Sequence, residues 1–243
     1  ALLYSTNPVN NQGTIWPGGR GYALPILAMM LAVALPLASP LFLWFCTWYT
    51  IGFHGVLGLI GTDKWWLLGL VPIVWLLNGK KFTKAIKLKS TYETFTSDKK
   101  YDFGKMVVAV KTFGFYFTLC LIPFRITFYH NFLQSLAGSM EKRWKSIWDR
   151  YFWIGLIAII GITTYCILHW GPLAQALLAF AITLIPYCNI VRANQEIAER
   201  FVCLPNVFLM FALAQVIAPH LAIVTAFLAF YATRTFYTLI MYK

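Results

Sequence analysis

Apolar residues in this chain gather in runs of near-membrane length separated by short polar turns, and that alternation limits the available folds more than any other feature. The runs cover about 21–39, 40–60, 65–78, 106–124, 151–169, 172–190, 204–218 and 219–236. A helix needs roughly 20 apolar residues to cross a bilayer core. The pattern therefore predicts an all-α, polytopic transmembrane helix bundle of about eight spans, in a single domain over 1–243. A soluble helical protein would need polar faces at helical spacing, and the long runs have none. Composition agrees: charged residues are 12% of the chain, against about 25% in soluble domains. Pro25 and Pro36 predict kinks in the first run, and Trp65-Trp66 reads as an interfacial anchor for the short third run.

The polar segments set the topology. Residues 1–20 are rich in Asn, Gly and Pro and read as a loop. Segment 79–105 carries Lys80, Lys81, Lys84, Lys87, Lys89, Lys99, Lys100 and Lys105, so the positive-inside rule assigns it to the cytoplasm. Alternating the spans then puts 1–20, 125–150, 191–206 and the last residues outside, on the periplasmic or lumenal face. Part of 125–150 is expected to lie flat in the interface. A tight turn at Trp170-Gly171-Pro172 and a break at Pro219-His220 separate the later spans. The net charge of +12 fits lysines at an anionic membrane surface. Its distribution does not suit nucleic acid, because the basic residues do not alternate with aromatics along a soluble groove. The five cysteines lack CxxC spacing and read as buried free thiols, not as a disulfide frame or a metal site. The opening Ala1-Leu2-Leu3-Tyr4 has no signal-peptide layout, so further chain is expected upstream.

The outer segments carry a set of ordered motifs. Glu199-Arg200-Phe201 followed by Leu204-Pro205-Asn206 resembles the Glu-Arg-Tyr-x-Tyr-Leu-Pro signature of the transmembrane and tetratricopeptide-repeat O-mannosyltransferases. These are C-type, multi-spanning glycosyltransferases. Asn7-Pro8-Val9-Asn10, Trp16 and Gly19-Arg20 look like that family's His-Pro-x-His-x-Glu and Gly-Arg loop. Pro123-Phe124-Arg125, Tyr129-His130, Trp148-Asp149, Ile185-Pro186-Tyr187-Cys188-Asn189 and Tyr231 with Arg234-Thr235 follow in the family's order. The catalytic carboxylate of the family's first external loop and its repeats have no counterpart here. The resemblance implies the glycosyltransferase C-type fold and transfer of a sugar from a polyprenyl-phosphate donor to an acceptor on the non-cytoplasmic face.

Such a reaction needs a cationic cradle for the leaving phosphate, a base and a sugar slot. Arg200, Arg20, Arg125 and Arg192 are the candidates for lipid phosphate, although Arg200 could instead pair with Glu196 or Glu199. Asp63, Glu199 and His130 are weak catalytic candidates; an N-cap role suits Asp63, and a satisfied interfacial histidine suits His130. Trp16, Tyr129 and Trp148 are candidate sugar or acceptor contacts, or members of an aromatic belt. No protein metal site is read, and a divalent metal accompanying the lipid-linked donor is left open. The expected partners are membrane lipid, the polyprenyl-phosphate sugar and other membrane subunits. A non-catalytic subunit or degenerate relative within a larger membrane complex is the second reading, and a transporter or flippase the third.

Overall fold

A computed structural model describes residues 2–10, 26–28, 31, 35, 103–124, 147–188 and 199–241. Among them the regular structure is entirely helical. The helices are α1 (Leu2–Thr6), α2 (Phe103–Leu121), α3 (Arg150–Leu168), α4 (Pro172–Leu184), α5 (Cys203–Ile217) and α6 (Leu221–Met241). Short 3₁₀ turns at Pro8–Asn10, Ile185–Tyr187 and Glu199–Val202 join them.

The helix ends follow local chemistry. Asp149 caps α3, its carboxylate accepting from the Tyr151 backbone N–H at 2.8 Å. Pro172 opens α4 at the first position, where its missing N–H costs nothing. The α-helical part of α4 gives way to a 3₁₀ turn at Ile185-Pro186, because Pro186 cannot donate to the ladder. The break at Pro219-His220 is present, closed by the His220 N–H on the Ile217 carbonyl at 2.8 Å.

Two helices, Arg150–Leu168 and Leu221–Ile240, are long and apolar enough to cross a membrane. A core helix of a soluble protein would pass the same test but would be mostly buried. In both of these, only 11% of the window is buried inside the protein. Ile157, Ile160 and Ile167 of α3, with Leu221, Phe236 and Ile240 of α6, are exposed, which is how a lipid-facing surface is built.

The core runs through α2, α4, α5 and the inner faces of α3 and α6. Phe180 of α4 meets Phe113 and Phe117 of α2, with ring centroids 5.8 and 6.0 Å apart. The backbones of α2 and α3 approach closely. A Cβ added at Gly114 would overlap the Tyr151 carbonyl oxygen, and one at Gly155 would overlap that of Val110. The reversed order of these pairs makes the two helices antiparallel, with small residues at the crossing.

Several expectations are corrected here. Residues 1–20 were expected to form a loop, yet 2–6 and 8–10 are helical, and Leu3, Asn7 and Val9 are buried. The expected outer loop 191–206 is 3₁₀ from residue 199 and α-helical from 203. Pro205 does not prevent this, because the first turn of a helix has N–H groups without partners anyway. The last helix runs to Met241 rather than stopping near 236. Runs 40–60 and 65–78, most of 21–39, residues 125–146 and nearly all of the lysine segment lie outside the described residues.

Candidate functional site

Segments far apart in the chain meet at one end of the bundle. Residues 2–10 lie there against the last turn of α2, the first turns of α5 and the C-terminal half of α6. The Asn7 amide donates to the Cys120 carbonyl at 2.8 Å, and its Oδ1 accepts from the Val9 N–H at 3.1 Å. The Asn206 amide donates to Asn10 Oδ1 at 3.2 Å. The Tyr231 hydroxyl donates to the Cys120 and Leu121 carbonyls at 3.2 and 3.0 Å, and the Thr235 hydroxyl to the Thr6 carbonyl at 2.8 Å.

The backbone acceptors, at Cys120, Leu121 and Thr6, have a common origin. A helix leaves its last carbonyls without intrahelical partners, and in an apolar setting each must be satisfied by protein. Asn7 and Tyr231 therefore finish α2. The 3₁₀ turn at Pro8–Asn10 packs on Glu199–Val202, and Phe201 stacks on Tyr187, centroids 5.1 Å apart and planes 9° from parallel. Two buried atoms among the described residues make no hydrogen bond, Asn206 Oδ1 and Gln215 Nε2. Burial holds the Tyr4 phenol protonated well above its ordinary range, with the nearby Cys203 and Cys120 thiols adding to the effect. We expect Tyr231→Phe to cost about 1 kcal/mol, read as a lowered thermal midpoint in detergent. An unchanged midpoint would mean that the α2 terminus is satisfied without it.

A second polar feature was not anticipated. Lys111, inside the apolar run of α2, is fully buried and pairs with Asp149 at 3.4 Å; the Asp149 side chain is 28% exposed. A lysine stem can climb along a helix to place its ammonium nearer the interface, and Asp149 sits at the start of the antiparallel α3. The available signal was the lone charge inside run 106–124.

Of the residues singled out from the sequence, Trp148 is 86% exposed and lies next to Asp149 of the Lys111–Asp149 pair in the chain. Glu199 and Arg200 lie on the 3₁₀ turn beside residues 8–10; their side chains are outside the description, as are Arg20, Arg125, Arg192, Asp63, His130, Trp16 and Tyr129. Asp149 is the single carboxylate side chain described, and its tie to Lys111 does not fit a divalent-metal site. Among the described residues no three His, Cys, Asp or Glu side chains group to hold a metal ion. Cys120, Cys166, Cys188 and Cys203 are free thiols, three of them buried; Cys46 lies outside the described residues. Comparison with protein-family models, with curated proteins and with solved structures found no match.

Proposed function

We propose that this chain is a multi-pass integral membrane protein of the glycosyltransferase C-type, with its motif-bearing end on the non-cytoplasmic face. It would transfer a sugar there from a polyprenyl-phosphate donor. One observation carries the reading: several described stretches that resemble the family, around residues 7–10, 123–124, 185–188, 199–206 and 231–235, lie together although they are distant in sequence. A site for a lipid-linked donor needs such a meeting at the membrane boundary, and Arg200 belongs to the 3₁₀ turn that packs on residues 8–10. The test is transfer from polyprenyl-phosphate hexoses by the reconstituted chain. Arg200→Ala should lower turnover by about 100-fold or more if it stabilises the leaving phosphate. Unchanged turnover removes Arg200 from the site.

A second reading, a non-catalytic membrane subunit, has its own support. Asn7, Tyr231 and Thr235 are spent on closing helix ends, and Asp149 is engaged by Lys111. Reconstituted protein that turns over no donor, yet copurifies in fixed ratio with another membrane protein, would favour it.

A further inference from the structure

Among the described residues Arg234 is a cation with no carboxylate partner. Its Nε donates to the Pro123 carbonyl at 3.2 Å and its Nη2 to the Phe124 carbonyl at 2.6 Å, and the guanidinium lies over the Tyr237 ring at 5.5 Å. These contacts hold the fork in one orientation. Of the five N–H donors a guanidinium carries, those bonds use two, and the others have no partner among the described residues. The one ion pair among those residues joins Lys111 to Asp149, so among them the charge of Arg234 is offset by the two carbonyl dipoles and the Tyr237 ring.

The surroundings have the character of a lipid boundary. Phe230, Arg234 and Tyr237 recur at four- and three-residue spacing and share one face of α6. Phe124 packs edge-on against Phe230, centroids 5.5 Å apart, while Phe124, Phe236 and Tyr237 are themselves exposed. Arg234 lies seven residues before the end of α6, a helix long enough to span, so its long side chain and the aromatic residues beside it can reach toward the level at which lipid phosphates lie. A guanidinium fork binds phosphate through paired, charge-assisted hydrogen bonds.

We propose that Arg234, braced by the Pro123 and Phe124 carbonyls and the Tyr237 ring, binds the phosphate of a membrane lipid. This rests on the reading that α6 crosses the membrane, and it adds a residue to the arginines selected from the sequence. The phosphate comes from bulk anionic phospholipid or from a polyprenyl monophosphate; the same contacts serve both.

The test uses the full chain in a phosphate-free non-ionic detergent, with lipid binding read by native mass spectrometry. The probes are dioleoyl phosphatidylglycerol, a polyprenyl monophosphate and dioleoylglycerol, which has the same acyl chains as the first but no phosphate. At least one phosphate lipid should bind about tenfold or more tightly than dioleoylglycerol. Arg234→Gln should abolish that preference, and Arg234→Lys should keep part of it, retaining charge without the fork. Preference for the polyprenyl lipid identifies the donor lipid as the ligand, and equal or greater binding of phosphatidylglycerol identifies bulk lipid. Tyr231→Phe, which loosens the same helix ends without touching Arg234, should leave the preference within about twofold. Wild-type protein that does not distinguish dioleoylglycerol, Arg234→Gln binding like wild type, or Tyr231→Phe losing as much as Arg234→Gln would each overturn the proposal. The outcome is separable from the transferase reading. A chain that binds lipid phosphate through Arg234 but transfers no sugar sinks that reading alone, and one washed from vesicles by carbonate sinks the membrane assignment.

Discussion

Asp149→Ala should lose about 3–5 kcal/mol of stability, the cost typical of leaving one member of a buried ion pair behind. The reason is asymmetric burial. Lys111 is fully buried on α2, whereas Asp149 keeps 28% of its side-chain surface, so removing the carboxylate takes a counter-charge from an ammonium that water cannot reach. Lys111→Met should cost less, because Asp149 can recover hydration. Asp149 also caps α3 through the Tyr151 N–H, a contribution of about 1 kcal/mol. Asp149→Asn keeps a capping oxygen and isolates the charge effect. The double variant Lys111→Met with Asp149→Asn should return close to wild type, since a well-packed apolar replacement of a buried pair is often neutral. Denaturation in mixed detergent micelles, analysed as a double-mutant cycle, measures these values. A loss below about 1 kcal/mol for Asp149→Ala would mean that the pair does not hold α2 to α3.

Gly114→Ala should destabilise by about 1–3 kcal/mol, the usual range for overpacking, and Gly114→Val by more. A methyl at residue 114 would meet the Tyr151 carbonyl and the backbone of Gly155. Neither can rotate away as a side chain would, so α2 and α3 must separate. Separation also weakens the Phe115–Tyr151 ring contact, now at 5.3 Å between centroids, and draws Asp149 from Lys111. Gly161→Ala is the control. It lies on the same α3 with nothing within 4 Å of an added Cβ, and Ala is favoured over Gly in a helix by up to about 1 kcal/mol. The two alanine substitutions should shift the thermal midpoint in opposite directions. Shifts of the same sign would refute the backbone crossing.

Where periodicity and length were the signal, the sequence reading came close to the structure. Runs 106–124, 151–169 and 204–218 fall within three residues of α2, α3 and α5, because uninterrupted apolar stretches leave helix as the means of satisfying the backbone. Asn7-Pro8-Val9-Asn10 was misread for the opposite reason. Its composition is that of an exposed turn, and the carbonyls and side chains that bury it lie on helices more than 100 residues away. Lys111 was passed over because one lysine barely changes the character of a run. Its partner Asp149 was read with Trp148 as a motif and not as the partner of a lysine. Gly114 and Gly155 were legible in principle: glycine inside a helix is costly unless backbones approach closely there. The arginines chosen for phosphate could not be weighed from described side chains, whereas Arg234, valued at first only for its place in a motif, has its contacts in view.

The bonds from Thr6 to Thr235 and from Asn10 to Asn206 fasten the first described residues to the final two helices. A ribosome makes the partners of this segment 196 and 229 residues after it, so the early segment waits through that stretch of translation before its partners exist. Closing so long a loop is an entropic debt that local helix formation cannot offset. The motif-bearing end thus sets only after α6 is made, and a chain stopped before Tyr231 would keep its earlier helices while leaving that end unsealed.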